Sequence, residues 1–196
     1  MKSRSATFLP SPGDALLVVD VQNDFLPGGA LAIPGGERVI ACLHGWIERF
    51  SASGQPIFAA RDWHPADHCS FRSHGGSWPP HCIAGTMGAA FPTGLGLPPS
   101  VAIISKATAA SDEAYSAFAG TDLDRRLRAV GVRRLIVGGL ATDYCVLGTV
   151  LDARHLGFAV LLPLDGLRAV DAKPGDGRRA LATMVAAGAE LLVATA

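Results

Sequence analysis

Six short runs in this chain are apolar at nearly every position instead of every second one: 15–21 (ALLVVDV), 56–60 (PIFAA), 101–105 (VAIIS), 134–140 (RLIVGGL), 158–164 (FAVLLPL) and 190–195 (ELLVAT). A strand with one wet face alternates; a strand apolar on both faces must be covered on both, as in a parallel sheet. Helical patterns separate most of the runs. Val39, Leu43, Trp46, Ile47 and Phe50 form one stripe that ends near Gly54. A second pattern, TDLDRRLRAVG, opens on a Thr or Asp cap and ends at Gly131. A third opens on Thr142 or Asp143 and ends at Gly157, and a fourth follows Pro174. This alternation predicts an α/β fold with a doubly wound sheet.

At 196 residues and 49% hydrophobic, the chain suits a single domain, 1–196, that buries a sizeable core. Seventeen basic residues balance seventeen acidic ones without a block of either sign, which argues against a nucleic-acid groove or an anionic membrane surface. The first residues lack the apolar core of a signal peptide, and no run reaches the roughly 18 apolar residues of a membrane span. The expectation is a cytoplasmic protein whose four cysteines, Cys42, Cys69, Cys82 and Cys145, are free thiols.

One region breaks the alternation. From about 61 to 97 the chain is dense in Gly, Pro, Ser and His, interrupted by Trp63, Phe71 and Trp78. A loop this long in a compact domain is functional or disordered, and its aromatic and His content favours function. It carries Asp62, His64, His68 and His81, a carboxylate and three imidazoles that suit Zn, Fe or Mn better than Ca or Mg. Solvated loop histidines are the plain alternative. Cys69 and Cys82 offer a rival ligand set for a structural zinc. His44, His74 and His155 receive no role.

Ligands in an open α/β sheet bind beyond the carboxyl ends of the strands. There the chain places Asp20, Asp62, Lys106 and, opening the helix after the fourth run, Cys145. A helix N-terminus presents unpaired N–H groups and positive dipole charge, so a thiol at that point is expected to ionise readily. The same N–H groups can hold an oxyanion. Asp20 can take the thiol proton, with Lys106 holding Asp20. Taken alone, Cys145 reads as a buried, inert thiol; its company at the strand ends reverses that.

These segments (VVDVQNDF, RDWHP, SWPPHC, SKAT, AYSAF and GGLATDYCV) resemble the nicotinamidase (pyrazinamidase) branch of the isochorismatase-like cysteine hydrolases, in the family's order. The resemblance implies a six-stranded parallel sheet with helices on both faces. It also implies metal-dependent hydrolysis of nicotinamide, and of pyrazinamide, through a thioester. Asp20, Lys106 and Cys145 match the family's catalytic triad. Asp62, His64, His68 and His81 match ligands for one divalent transition metal (Zn, Fe or Mn), which holds the pyridine nitrogen. Leu140–Ala141 matches a cis peptide beside an oxyanion hole made by the N–H groups of Ala141 and Cys145. Phe25, Trp78, Tyr115 and Leu140 match substrate-binding positions. Two departures stand out: the His64–His68 interval is short, and Tyr144 stands where some relatives carry His. The implied partner is the small-molecule substrate, with homo-oligomer formation left open. Other readings are an amidohydrolase for another small carbamoyl or ureido amide, or a non-catalytic domain with a structural zinc loop.

Overall fold

A computed structural model describes residues 8–193. The expected lack of a leader therefore falls partly outside the described residues, as does the end of the last apolar run. The chain follows the order β1 (Asp14–Val19), α1 (Arg38–Ala52), β2 (Ile57–Asp62), β3 (Ala102–Lys106), α2 (Leu123–Ala129), β4 (Arg134–Leu140), α3 (Leu147–His155), β5 (Ala159–Pro163), β6 (Leu167–Arg168), α4 (Asp176–Ala186) and β7 (Glu190–Leu192). The sheet is parallel throughout, in the order β3-β2-β1-β4-β5-β7. Those six strands are the six apolar runs. The seventh, β6, is a two-residue addition that pairs Gly139 and Leu140 with Leu167 and Arg168, and its brevity hides it from pattern reading.

The reason for unbroken apolar runs is visible in β1. Ala15, Leu17 and Val19 face one core, with Leu123, Leu127, Val150 and Met184 from α2, α3 and α4. Leu16 and Val18 face the other, with the α1 stripe Val39, Leu43, Trp46, Ile47 and Phe50. Side chains alternate across a strand, so covering both faces requires apolar residues at every position. Helix α1 stops before Gly54, whose φ of +65° takes the left-handed conformation of a helix end.

Helix capping departs from expectation at α3. The chain enters it through a π-turn, Thr142–Val146, and neither Thr142 nor Asp143 caps it. Asp143 instead accepts hydrogen bonds from the N–H groups of Val170 and Asp171, both at 2.9 Å. At α2, Thr121 Oγ1 accepts from Leu123 N–H at 3.3 Å, while Asp122 pairs with Arg125 and Arg126. Among the described residues no helix is long and apolar enough to cross a membrane.

The loop after β2 is tied down by its own backbone. His64 N–H donates to Cys82 C=O at 3.0 Å, Ala84 N–H to His64 C=O at 2.8 Å, and Cys69 N–H to Ala110 C=O at 2.8 Å. The sheet order changes direction between β1 and β4, each of which begins a run of neighbours leading outward. That switch point is where an open α/β sheet leaves a crevice.

Candidate active site

Four strands deliver the polar groups to this crevice. Asp20 follows β1, Asp62 ends β2, Lys106 ends β3, and Cys145 lies in the π-turn after β4. Three non-glycine residues with positive φ stand here too: Asp20 at +50°, Cys82 at +47° and Ala107 at +50°. Backbone held in sparsely populated regions concentrates where a site over-determines it. The Leu140–Ala141 peptide is cis.

Lys106 is the hub. Its side chain is buried, and its ammonium lies 2.9 Å from Asp20 Oδ2, against Asp62 Oδ1, 3.1 Å from Ala114 C=O and 3.5 Å from Cys145 Sγ. Burial alone would lower its pKa, but the two carboxylates outweigh burial and keep it charged well above the usual range. A carboxylate oxygen of Asp20, one of Asp62 and the Cys145 sulfur lie within 4.8 Å of one another. Asp20 is fully buried, with Oδ2 held by the Lys106 ammonium and the Cys145 sulfur nearby. Burial, only partly opposed by Lys106, pushes its pKa up to about 6.

At Cys145 the helix-end effect meets burial and two carboxylates. Burial raises the thiol pKa well above its usual value; Lys106 pulls the other way, but Asp20 and Asp62 add to the rise. One ammonium already faces two carboxylates, so a resting thiolate would add uncompensated negative charge to a dry site. A thiol in these surroundings needs a base to give up its proton.

Across the crevice, Asp62, His64 and His81 each offer a ligand atom, all within 4.8 Å of one another. His64 Nδ1 meets Ala107 C=O at 3.1 Å and His81 Nδ1 meets Pro79 C=O at 2.8 Å. Carbonyls only accept, so each Nδ1 carries the proton and each Nε2 lone pair is left for an electrophile. Burial lowers the pKa of both imidazoles, that of His64 to about 4, so they are neutral. For Asp62, burial raises the pKa but Lys106 and His64 more than offset it, so the carboxyl is ionised. Neutral imidazoles and an ionised carboxylate are the forms that bind a divalent transition metal.

His68 stands beside this group and not in it. Its ring stacks on His64 at 4.0 Å, its Nδ1 meets Ser70 Oγ at 2.8 Å and its Nε2 meets Asp112 C=O at 3.1 Å. Cys69 and Cys82, next to two of the histidines, are free thiols outside this group, and burial raises the pKa of Cys82.

A cleft of about 530 Å³, counted to its open mouth, joins the two groups. Its walls include Phe25, Leu31, Ile33, Trp78, Tyr115 and Tyr144. The Phe25 ring is 5.6 Å from that of His81. Trp78 Nε1 donates to Tyr115 OH at 3.2 Å, and both rings approach Tyr144, at 5.2 and 5.5 Å. Ala141 lines the cleft as expected, but Leu140 turns into the α1 core.

Some residues of the cleft and its loop carry no signal in the sequence. Phe71, fully buried, meets His64, His68 and His81 at 5.6, 5.7 and 5.6 Å and forms the loop's private core. Leu31, Ile33 and Val170 belong to the cleft wall without any local signal, because their apolar character also suits a core.

Residues 14–196 match the isochorismatase domain. The nicotinamidase of Escherichia coli is 40% identical, the alignment covering 92% of this chain and 94% of that protein. A nicotinamidase/pyrazinamidase from Mycobacterium tuberculosis is 39% identical over 77% and 84%. The crystal structure of a Pyrococcus horikoshii pyrazinamidase in complex with zinc superposes with a TM-score of 0.89 at 47% identity, covering 93% of this chain and 99% of that one. With its parallel sheet, its strand-end triad of Asp, Lys and Cys, and a domain match along nearly its whole length, the chain belongs to the isochorismatase family.

Proposed function

We propose that this protein is a metal-dependent cysteine amidohydrolase that converts nicotinamide to nicotinic acid and ammonia, with pyrazinamide as a further substrate. The observation that carries the reading is the facing pair of groups in one aromatic cleft: Cys145 beside Asp20 and Lys106, and Asp62, His64 and His81 opposite. Nicotinamide has two ends that need such a pair, an amide carbon and a pyridine nitrogen. An L. infantum relative solved in complex with nicotinate, 36% identical with a TM-score of 0.84, supports the substrate class.

In this mechanism the ring lies between Phe25 and Trp78, with Tyr115 at the mouth. Asp20 takes the proton of the Cys145 thiol as sulfur attacks the amide carbon. The N–H groups of Ala141 and Cys145 receive the oxyanion. Asp20 returns the proton to the departing ammonia, leaving a nicotinoyl thioester. A water that gives one proton to Asp20 attacks the thioester, and Asp20 passes that proton to the departing Cys145 sulfur, which frees the acid and restores the thiol. Lys106 keeps Asp20 oriented throughout. Asp62, His64 and His81 would hold one Zn, Fe or Mn ion, which supplies a Lewis-acidic site for the ring nitrogen. His68 joins that set only by giving up its Asp112 contact. Four free cysteines favour a cytoplasmic setting.

The test is ammonia release from nicotinamide. Cys145→Ala should leave less than about one per cent of the rate while still binding the ring. A carbamoyl or ureido amide would use the same triad but leave His64 and His81 idle. Turnover of such a compound by metal-free protein, with none of nicotinamide, would replace this reading.

A further inference from the structure

The tripeptide Gln22–Asn23–Asp24 leaves β1 just behind Asp20, and its side chains reach both ends of the inferred metal set. Gln22 is fully buried. Its Oε1 accepts from Asp62 N–H at 2.8 Å, and its Nε2 donates to Asp62 C=O at 2.8 Å and to Ala89 C=O at 3.0 Å. Asn23 Nδ2 donates to Met87 C=O at 2.8 Å. Asp24 Oδ2 accepts from Cys82 N–H at 2.7 Å, and Oδ1 accepts from Ala30 N–H at 3.2 Å. Cys82 directly follows His81 and has the left-handed φ of +47°. A carboxylate accepting from a backbone N–H at this distance makes a charge-assisted bond, roughly twice as strong as a neutral one.

Asp24 therefore joins two loops that nothing in the sequence links. One is the turn 24–33, closed by Leu31 N–H on Asp24 C=O at 2.9 Å, which brings Phe25, Leu31 and Ile33 to the cleft. The other is the segment that carries His81. We propose that Asp24 is a positioning residue of the metal site. Through Cys82 it sets where His81 stands relative to Asp62, whose backbone Gln22 fixes from the same tripeptide. The proposal rests on the reading of Asp62, His64 and His81 as metal ligands. Partners one step behind a metal's ligands commonly govern affinity by 10–100-fold.

The experiment measures Zn²⁺ affinity of the full-length apo-protein by competition with a chromogenic chelator, for wild type, Asp24→Ala, Asp24→Asn and His81→Ala. Melting of each apo-protein is recorded, as is nicotinamide turnover at saturating Zn²⁺. Asp24→Ala is expected to bind Zn²⁺ about 10–100-fold more weakly, with turnover at limiting Zn²⁺ falling in step and rising as Zn²⁺ is added. Asp24→Asn, which keeps an acceptor for Cys82 but loses the charge and the Ala30 contact, is expected to fall between. Wild-type affinity in Asp24→Ala, with affinity lost in His81→Ala, overturns the role of Asp24 and leaves the metal site standing. Unchanged affinity in His81→Ala overturns the metal reading beneath it. An unfolded Asp24→Ala beside an Asp24→Asn of wild-type affinity also counts against the proposal, because Asp24 would then serve folding alone.

Discussion

Asp20 carries the pH dependence of the proposed reaction. Its carboxyl must be ionised to take the Cys145 proton, and its burial holds the pKa at about 6. As pH falls through that value Asp20 gains a proton and the rate declines; a bound cation nearby moves the decline to lower pH. Asp20→Asn should lower kcat/KM by about 10²–10⁴-fold, the usual worth of a positioned base. A substituted enzyme with an unchanged acid limb would show that another group sets it. The helix-end argument named one influence on the Cys145 thiol, which lowers its pKa; burial and two carboxylates raise it. The dipole is a local effect, readable from chain order. The opposing carboxylates come from β1 and β2, which only folding brings beside the thiol.

At the scale of the element, strand β4 must lie close to β1 for Asp20 and Cys145 to meet. Gly139 permits this: its φ is +137°, and a Cβ there would sit 2.0 Å from the Val19 carbonyl oxygen. Gly139→Ala should cost about 2–4 kcal/mol, through backbone strain and the clash, read as a lower urea midpoint. An unchanged midpoint would mean the strands can part without cost. The apolar runs made strands and helices legible because both cores repeat with the period of the element, as Leu16 and Leu17 show by facing opposite sides. Loop 61–97 has no period. Its His residues could be marked as ligands by type, but Phe71, which packs against three of them, looked like any other loop aromatic. The direction of the His68 ring was equally hidden, since it depends on Ser70 and the distant Asp112 carbonyl.

Across the whole molecule, the two cores and the metal set are separate. The cores lie on the two faces of the sheet, whereas Asp62, His64 and His81 gather at its carboxyl edge. Dialysis against a strong chelator should therefore abolish turnover and leave the far-UV circular dichroism at 25 °C unchanged, with activity restored by Zn, Mn or Fe. Full turnover in verified metal-free protein would refute metal dependence; loss of the helical signal would make the ion structural. What the sequence determined by itself was the alternation of buried strands and helices, the residues at the strand ends, and the family motifs, because each is written in adjacent positions. Tertiary structure alone decided which of those groups touch. It put Lys106 between Asp20 and Asp62, set two carboxylates beside the thiol, turned His68 aside and tied Asp24 to His81's neighbour. Each of these depends on charges and hydrogen bonds between segments tens of residues apart, whose strength is set by burial and distance, and neither exists until the chain has folded.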